Sequence, residues 1–188
     1  MKKIIIVGLV KPKVIRTDSS ELVARIGLQE WQNLFGNADL NIESRIINDD
    51  RAIPEFQKLS SELQQKKPDA VLVFETIPGI TQILFEVAIY GPSGTVCHYT
   101  INAEEIIREL RKNMIPAGLS CNENPPSLSY TFFSVANYIC SHELPIKFGL
   151  IHLPLVTEEV CRNTQYHSSP SFSRETLINA AEIICELA

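Results

Sequence analysis

The chain has no CxxC pair, no apolar stretch approaching the ~20 residues that span a bilayer, and no excess of basic charge. Each absence removes a class of function. With 17 Lys and Arg against 22 Asp and Glu, the formal net charge is -5, so no overall positive field gathers phosphate backbones or anionic lipid. Nucleic acid and membrane surfaces are therefore not expected partners. The five cysteines, at positions 97, 121, 140, 161 and 185, are odd in number. They give no disulfide framework, which points to a reducing, cytoplasmic setting. The nearest mixed Cys and His pairs are Cys97 with His98 and Cys140 with His142, neither at a spacing that holds zinc. No metal and no cofactor are expected. The start, two lysines and then Ile4 to Val7, is too short for a secretory core and has no small-residue cleavage site after it, so it reads as a buried first strand.

What is present is alternation. Its 188 residues, 45% of them hydrophobic, suffice for one core, and one domain over 1–188 is expected. Lys2 to Val10 reads as a strand, and Thr17 to Ser20 offers caps for a helix beginning near Glu21. Leu40 to Ile47 alternates as a second strand, Pro54 opens an amphipathic helix ending at Lys66-Lys67, and Ala70 to Phe74 is a continuous apolar run typical of a central parallel strand. Glu86 to Tyr90 and Met114 to Leu119 read as further strands, with a helix capped by Asn102 between them. Asn122 to Ser129 is a Pro/Ser/Asn loop, Tyr130 to Leu144 a helix, Lys147 to Leu153 an apolar strand, and Phe172 to Leu187 a closing helix capped by Ser171 or Ser173. Strands alternating with helices predict a three-layer α/β/α sandwich around a mostly parallel sheet, with sites beyond the carboxyl ends of the strands.

His152 closes the strand that ends Gly149-Leu150-Ile151-His152-Leu153-Pro154, which places it at that rim. Cys140 follows Ser134-Val135-Ala136-Asn137-Tyr138-Ile139. A thiol attacks a carbonyl as its thiolate, and an imidazole in hydrogen-bond reach both removes the thiol proton and returns it to the leaving amine. A carboxylate on the far ring nitrogen fixes the tautomer, and Glu75 and Glu86, each following an apolar strand, are the available carboxylates. Cys97, Cys121, Cys161 and Cys185 have no comparable partner and read as packing, Cys185 lying on the apolar stripe of the last helix.

The run from Ser134 to Ser141 around Cys140, followed by Leu150-Ile151-His152-Leu153-Pro154-Leu155-Val156-Thr157-Glu158-Glu159, resembles the Cys and His blocks of the pyroglutamyl peptidase I family, S-A-G-T-Y-L-C-N and F-I-H-V-P-Y-L-P-E-Q. Lys67-Pro68-Asp69, Phe85-Glu86-Val87-Ala88-Ile89, Met114-Ile115-Pro116-Ala117 and Ser169-Pro170-Ser171-Phe172-Ser173 occur in the family's order. The resemblance implies a phosphorylase/hydrolase-like α/β/α fold and a cysteine hydrolase that cleaves an amide of a small peptide-like substrate through an acyl-enzyme. It implies Cys140 as nucleophile, His152 as base and Glu86 as the residue orienting the ring, with self-association into dimers or tetramers. The ungapped register puts Phe85 at the family's glutamate.

The departures bear on the substrate. Where the family has G-F-x-P-F-G-G, this chain has Gly8-Leu9-Val10-Lys11-Pro12-Lys13-Val14, without the aromatics that hold a pyroglutamyl ring, and the family's glycine-rich turn with an arginine is Glu75-Thr76-Ile77-Pro78-Gly79-Ile80. Pyroglutamyl removal and a different acyl transfer both remain open. A non-catalytic binding member of the fold is the alternative, supported by the same losses. A phosphorylase would need phosphate-binding glycines and basic residues that the chain does not show.

Overall fold

The computed structural model describes residues 1–10, 22, 40–48, 52–90, 96–120 and 129–188. The helix expected near Glu21, the Lys11 to Val14 part of the first loop, Cys121 and the segment 122–128 lie outside the described residues.

Strand β1 (Lys2–Val10) is the apolar run at the start of the chain, and it pairs in parallel with β2 (Leu40–Asn48) on one side and β3 (Ala70–Thr76) on the other. Every residue of β3 is buried, as a strand covered on both faces requires. Next to β3 lies β8 (Lys147–Leu153), also parallel, and beyond it β4 (Ile83–Glu86) and β7 (Ala117–Ser120) complete the order β2-β1-β3-β8-β4-β7. The β4–β8 pairing is antiparallel and the other four are parallel, so the mostly parallel sheet expected from the sequence forms with one reversal. The reversal places Leu84 of β4 opposite His152 of β8.

Helices cover both faces. On one face, Phe56, Leu59 and Leu63 of α1 (Ala52–Lys66) and Val135, Ala136 and Ile139 of α3 (Ser129–Ser141) pack over Val71, Val73, Phe148 and Leu150. On the other, Ile106, Ile107 and Leu110 of α2 (Ala103–Lys112) and Leu177, Ala180, Ala181 and Ile184 of α5 (Arg174–Leu187) pack over Leu72, Phe74, Phe85 and Ile151. The period-2 alternation of each strand sorts its side chains between these two cores. Asn102 caps α2 by accepting from the Glu105 N–H, and Ser173 caps α5 by accepting from the Thr176 N–H.

Some boundaries differ from the sequence reading. The expected strand from Glu86 to Tyr90 is split: β4 ends at Glu86, Val87 bends the chain, and β5 (Ala88–Tyr90) forms an antiparallel hairpin with β6 (Val96–His98). Met114 takes a positive φ of 59°, which delays the strand expected from that residue until Ala117. After β8, β9 (Leu155–Val156) leads into the short helix α4 (Thr157–Arg162), and β10 (Ser171–Phe172) pairs with β9 before the last helix. Two-residue strands and a six-residue helix carry too little periodicity to be read from sequence.

Candidate active site

Strand alternation builds the site. In β8, Phe148 and Leu150 face the α1/α3 layer while Ile151 and Leu153 face the other, so His152 points toward the α1/α3 layer. By the same count Glu75, following Val71 and Val73, shares that face, and so does Glu86, since Ile83 and Phe85 fill the opposite core. Glu75 is the parallel register partner of His152, and Leu84, two residues before Glu86, is its antiparallel partner. Three titratable side chains from three adjacent strands thus meet on one face.

The ring of His152 is 1% exposed, and its Nε2 lies 2.6 Å from Glu86 Oε1. A carboxylate only accepts, so this short bond assigns a ring proton to Nε2 and leaves Nδ1 as the nitrogen that can exchange one. Nδ1 faces Glu75 Oε2 at 3.5 Å and makes no hydrogen bond. Both carboxylates are buried with the ring. Their charges support the imidazolium that forms when Nδ1 takes a proton, and the Glu86 bond holds the ring in one orientation. Both carboxylates singled out from the sequence therefore face the histidine, one on each nitrogen. Phe85, the residue of the ungapped register, is wholly buried in the opposite core and turned away from the ring.

Tyr99 is a member of this neighbourhood that the sequence did not single out. Its ring stacks on Phe148 with centroids 5.5 Å apart, its N–H donates to the Val87 carbonyl, and its hydroxyl is buried without a hydrogen-bond partner. Burial first, and then the neighbouring Glu86, Cys97 and Glu75, push that hydroxyl up, so it stays protonated and available as a donor. Nothing in its local sequence, Cys97-His98-Tyr99-Thr100, marks it. Only the hairpin after Glu86 brings it back to the carboxylates.

Cys140 is placed differently from the expectation. It lies in the last turn of α3, it is exposed, and the chain leaves that helix through a Leu144 N–H to Ile139 carbonyl bond to enter β8 at Lys147. Five extended residues, roughly 16 Å at ~3.3 Å each, then separate Lys147 from His152. The structure brings Glu86 to His152 and does not bring Cys140 to it: both ring nitrogens face carboxylates, and Cys140 lies instead near Cys97. The physical reason is direction. A helix that feeds straight into the next strand leaves its last turn at the strand's amino end, whereas His152 is at the carboxyl end. Cys97 is buried in the core between the sheet and α3, in keeping with the packing role read from sequence. Cys185 is fully buried in the α5 stripe as expected, and Cys161 is exposed. Among the described residues no group of three or more His, Cys, Asp or Glu is placed to hold a metal, and no helix is long and apolar enough to cross a membrane.

Comparison with known proteins places this geometry. The family described as Pyroglutamyl peptidase (Peptidase_C15) matches residues 86–188, more than half of the chain and a span that begins at Glu86 and includes His152. The chain belongs to the pyroglutamyl peptidase family. That is a family of cysteine peptidases, hydrolases that remove N-terminal pyroglutamate. Pyrrolidone-carboxylate peptidase 2 of Caldanaerobacter subterraneus is 32% identical over 92 residues, covering 48% of this chain and 43% of that protein. The pyrrolidone-carboxylate peptidase of a Thermoanaerobacter species is 28% identical over 147 residues, 67% of this chain and 71% of that protein. The match thus spans less than half of the first relative's length. Among solved structures, pyrrolidone carboxyl peptidase from Thermococcus litoralis superposes with a TM-score of 0.83 at 20% identity, over 100% of this chain and 93% of that one. Pyroglutamyl peptidase I from Bacillus amyloliquefaciens gives 0.79 at 20% identity over 100% and 97%. These superpositions establish the shared α/β fold.

Proposed function

We propose that this pyroglutamyl peptidase family member hydrolyses the amide bond that follows an N-terminal acyl group of a small peptide-like substrate, pyroglutamyl being the acyl group its family points to. The observation that carries the reading is the 2.6 Å Nε2–Oε1 bond between His152 and Glu86 at the carboxyl end of β8. In this reading His152 Nδ1 takes the proton of a thiol, and the sulfur forms a bond to the substrate carbonyl carbon. The tetrahedral adduct collapses as the C–N bond breaks, with the imidazolium protonating the leaving amine. Water, deprotonated by the same ring, then hydrolyses the thioester. Glu86 keeps the ring oriented throughout and balances its charge.

Cys140 enters as the proposed nucleophile from its resemblance to the family's Cys block, and its place at the other end of β8 favours a second reading, a family member that binds a peptide-like ligand at the His152 face without cleaving it. Trapping separates the two. Rapid acid quench after mixing the native chain with a pyroglutamyl amide, followed by digestion and mass analysis, is expected to show an acyl thioester, and on Cys140 if the assignment is right. A thioester on another cysteine keeps the hydrolase and overturns the Cys140 assignment. Saturable binding of the pyroglutamyl amide with no adduct on any cysteine supports the non-cleaving reading.

A further inference from the structure

We propose that Cys97 and Cys140 are a redox-active dithiol, a site at which a peroxide converts two facing thiols into one reversible disulfide. The basis is geometric. Cys97 is on β6, registered against Ile89 of β5, and its side chain packs in the cluster that holds Val135, Ala136 and Ile139 of α3. One turn after Ala136 on the same helix face is Cys140, whose thiol lies near enough to Cys97 to act on it. Both are free thiols, one buried and one exposed.

The asymmetry assigns the roles. Cys140, open to solvent, is the sulfur that a small oxidant can reach. Burial first, and then the adjacent Cys140, push the Cys97 thiol up, so Cys97 waits as a protonated resolving thiol. In the first step the Cys140 thiolate attacks one oxygen of hydrogen peroxide. The O–O bond breaks, an S–O bond forms, and the departing hydroxide takes up the proton that the thiol gave to solvent, leaving as water with the sulfenic acid behind. In the second, the Cys97 sulfur displaces the hydroxyl from Cys140, forming the S–S bond and releasing a second water. The two thiols are oxidised by two electrons and the peroxide is reduced to two waters. The bond would tie the β5–β6 hairpin to α3. That hairpin begins two residues after Glu86, is held by the Tyr99 N–H to Val87 carbonyl bond, and continues into the Thr100 N–H to Phe148 carbonyl bond on β8. Oxidation at one end of the strand is thereby linked to the segment carrying Glu86 and Tyr99.

The test needs no activity, so it is independent of the hydrolase reading. The full reduced chain is treated with hydrogen peroxide, alkylated, digested and analysed by mass. Expected are a Cys97–Cys140 linked peptide, an intact mass lower by two hydrogens, and full recovery of both thiols with dithiothreitol. Cys140 should lose alkylation on the order of tenfold faster than Cys161, the other exposed cysteine. In Cys97→Ser, Cys140 should instead proceed to sulfinic acid that dithiothreitol does not reverse. If that variant does not fold, the linked peptide in the native chain decides alone. Irreversible oxidation of Cys140 in the native chain, a disulfide to any other cysteine, or equal rates at Cys140 and Cys161 would overturn the proposal.

Discussion

His152→Gln is expected to lower kcat/KM for a pyroglutamyl amide by about 10²–10⁴-fold, the range over which a positioned general acid–base acts. Glutamine is chosen because its side-chain amide can still donate to Glu86 Oε1, which now receives the Nε2 proton at 2.6 Å. His152→Ala would instead leave two buried carboxylates facing a void, and breaking a buried pair costs about 3–5 kcal/mol, which would confuse lost chemistry with lost folding. Steady-state rates read beside thermal unfolding make the check. A Tm within a few degrees of native with the rate loss present is the expected pair of results, and an unchanged rate excludes the ring from the chemistry.

The second large effect separates two neighbours on β4. Phe85 is fully buried among Ile83, Ile106 and Ile151, and Phe85→Ala is expected to cost about 3–5 kcal/mol of stability through the cavity it leaves. Glu86→Gln is close to isosteric, so it should cost little stability but slow turnover by about tenfold or more, and less than His152→Gln. The slowing has a mechanism. If the glutamine amide presents its nitrogen to Nε2, the ring proton moves to Nδ1 and the base is lost. Urea denaturation midpoints and rates, measured on both variants, should show opposite patterns. A rate loss confined to Phe85→Ala in folded protein would mean that the ungapped register was the correct one.

Why one of these residues is structural and the other is not could be argued from sequence only up to a point. Alternation in Ile83-Leu84-Phe85-Glu86 puts Phe85 and Glu86 on opposite faces, but which face carries the histidine depends on β4 pairing antiparallel to β8. That pairing is a long-range contact between residues 66 apart, and nothing local encodes it. The continuous apolar runs of β1, β3 and β8 and the caps Asn102 and Ser173 were legible because burial and capping act locally. The β5–β6 hairpin was not, and with it went the positions of Tyr99 and Cys97.

For Cys140 the direction of the chain matters more than the local letters. The expected helix from Tyr130 to Leu144 and strand from Lys147 already contained the answer. A cysteine late in a helix that feeds directly into a strand belongs at the strand's amino end, while a histidine late in the strand belongs at the other. Glu75 and Glu86 both sit at strand ends on the face that His152 uses.

The most direct test of the account is whether the native, reduced chain releases the amine from a pyroglutamyl amide. The account predicts release with free pyroglutamate as the second product, blocked by prior thiol alkylation and abolished or nearly so in His152→Gln. No release from pyroglutamyl or other N-acyl peptide amides at high protein concentration, or release that alkylation leaves untouched, would contradict it.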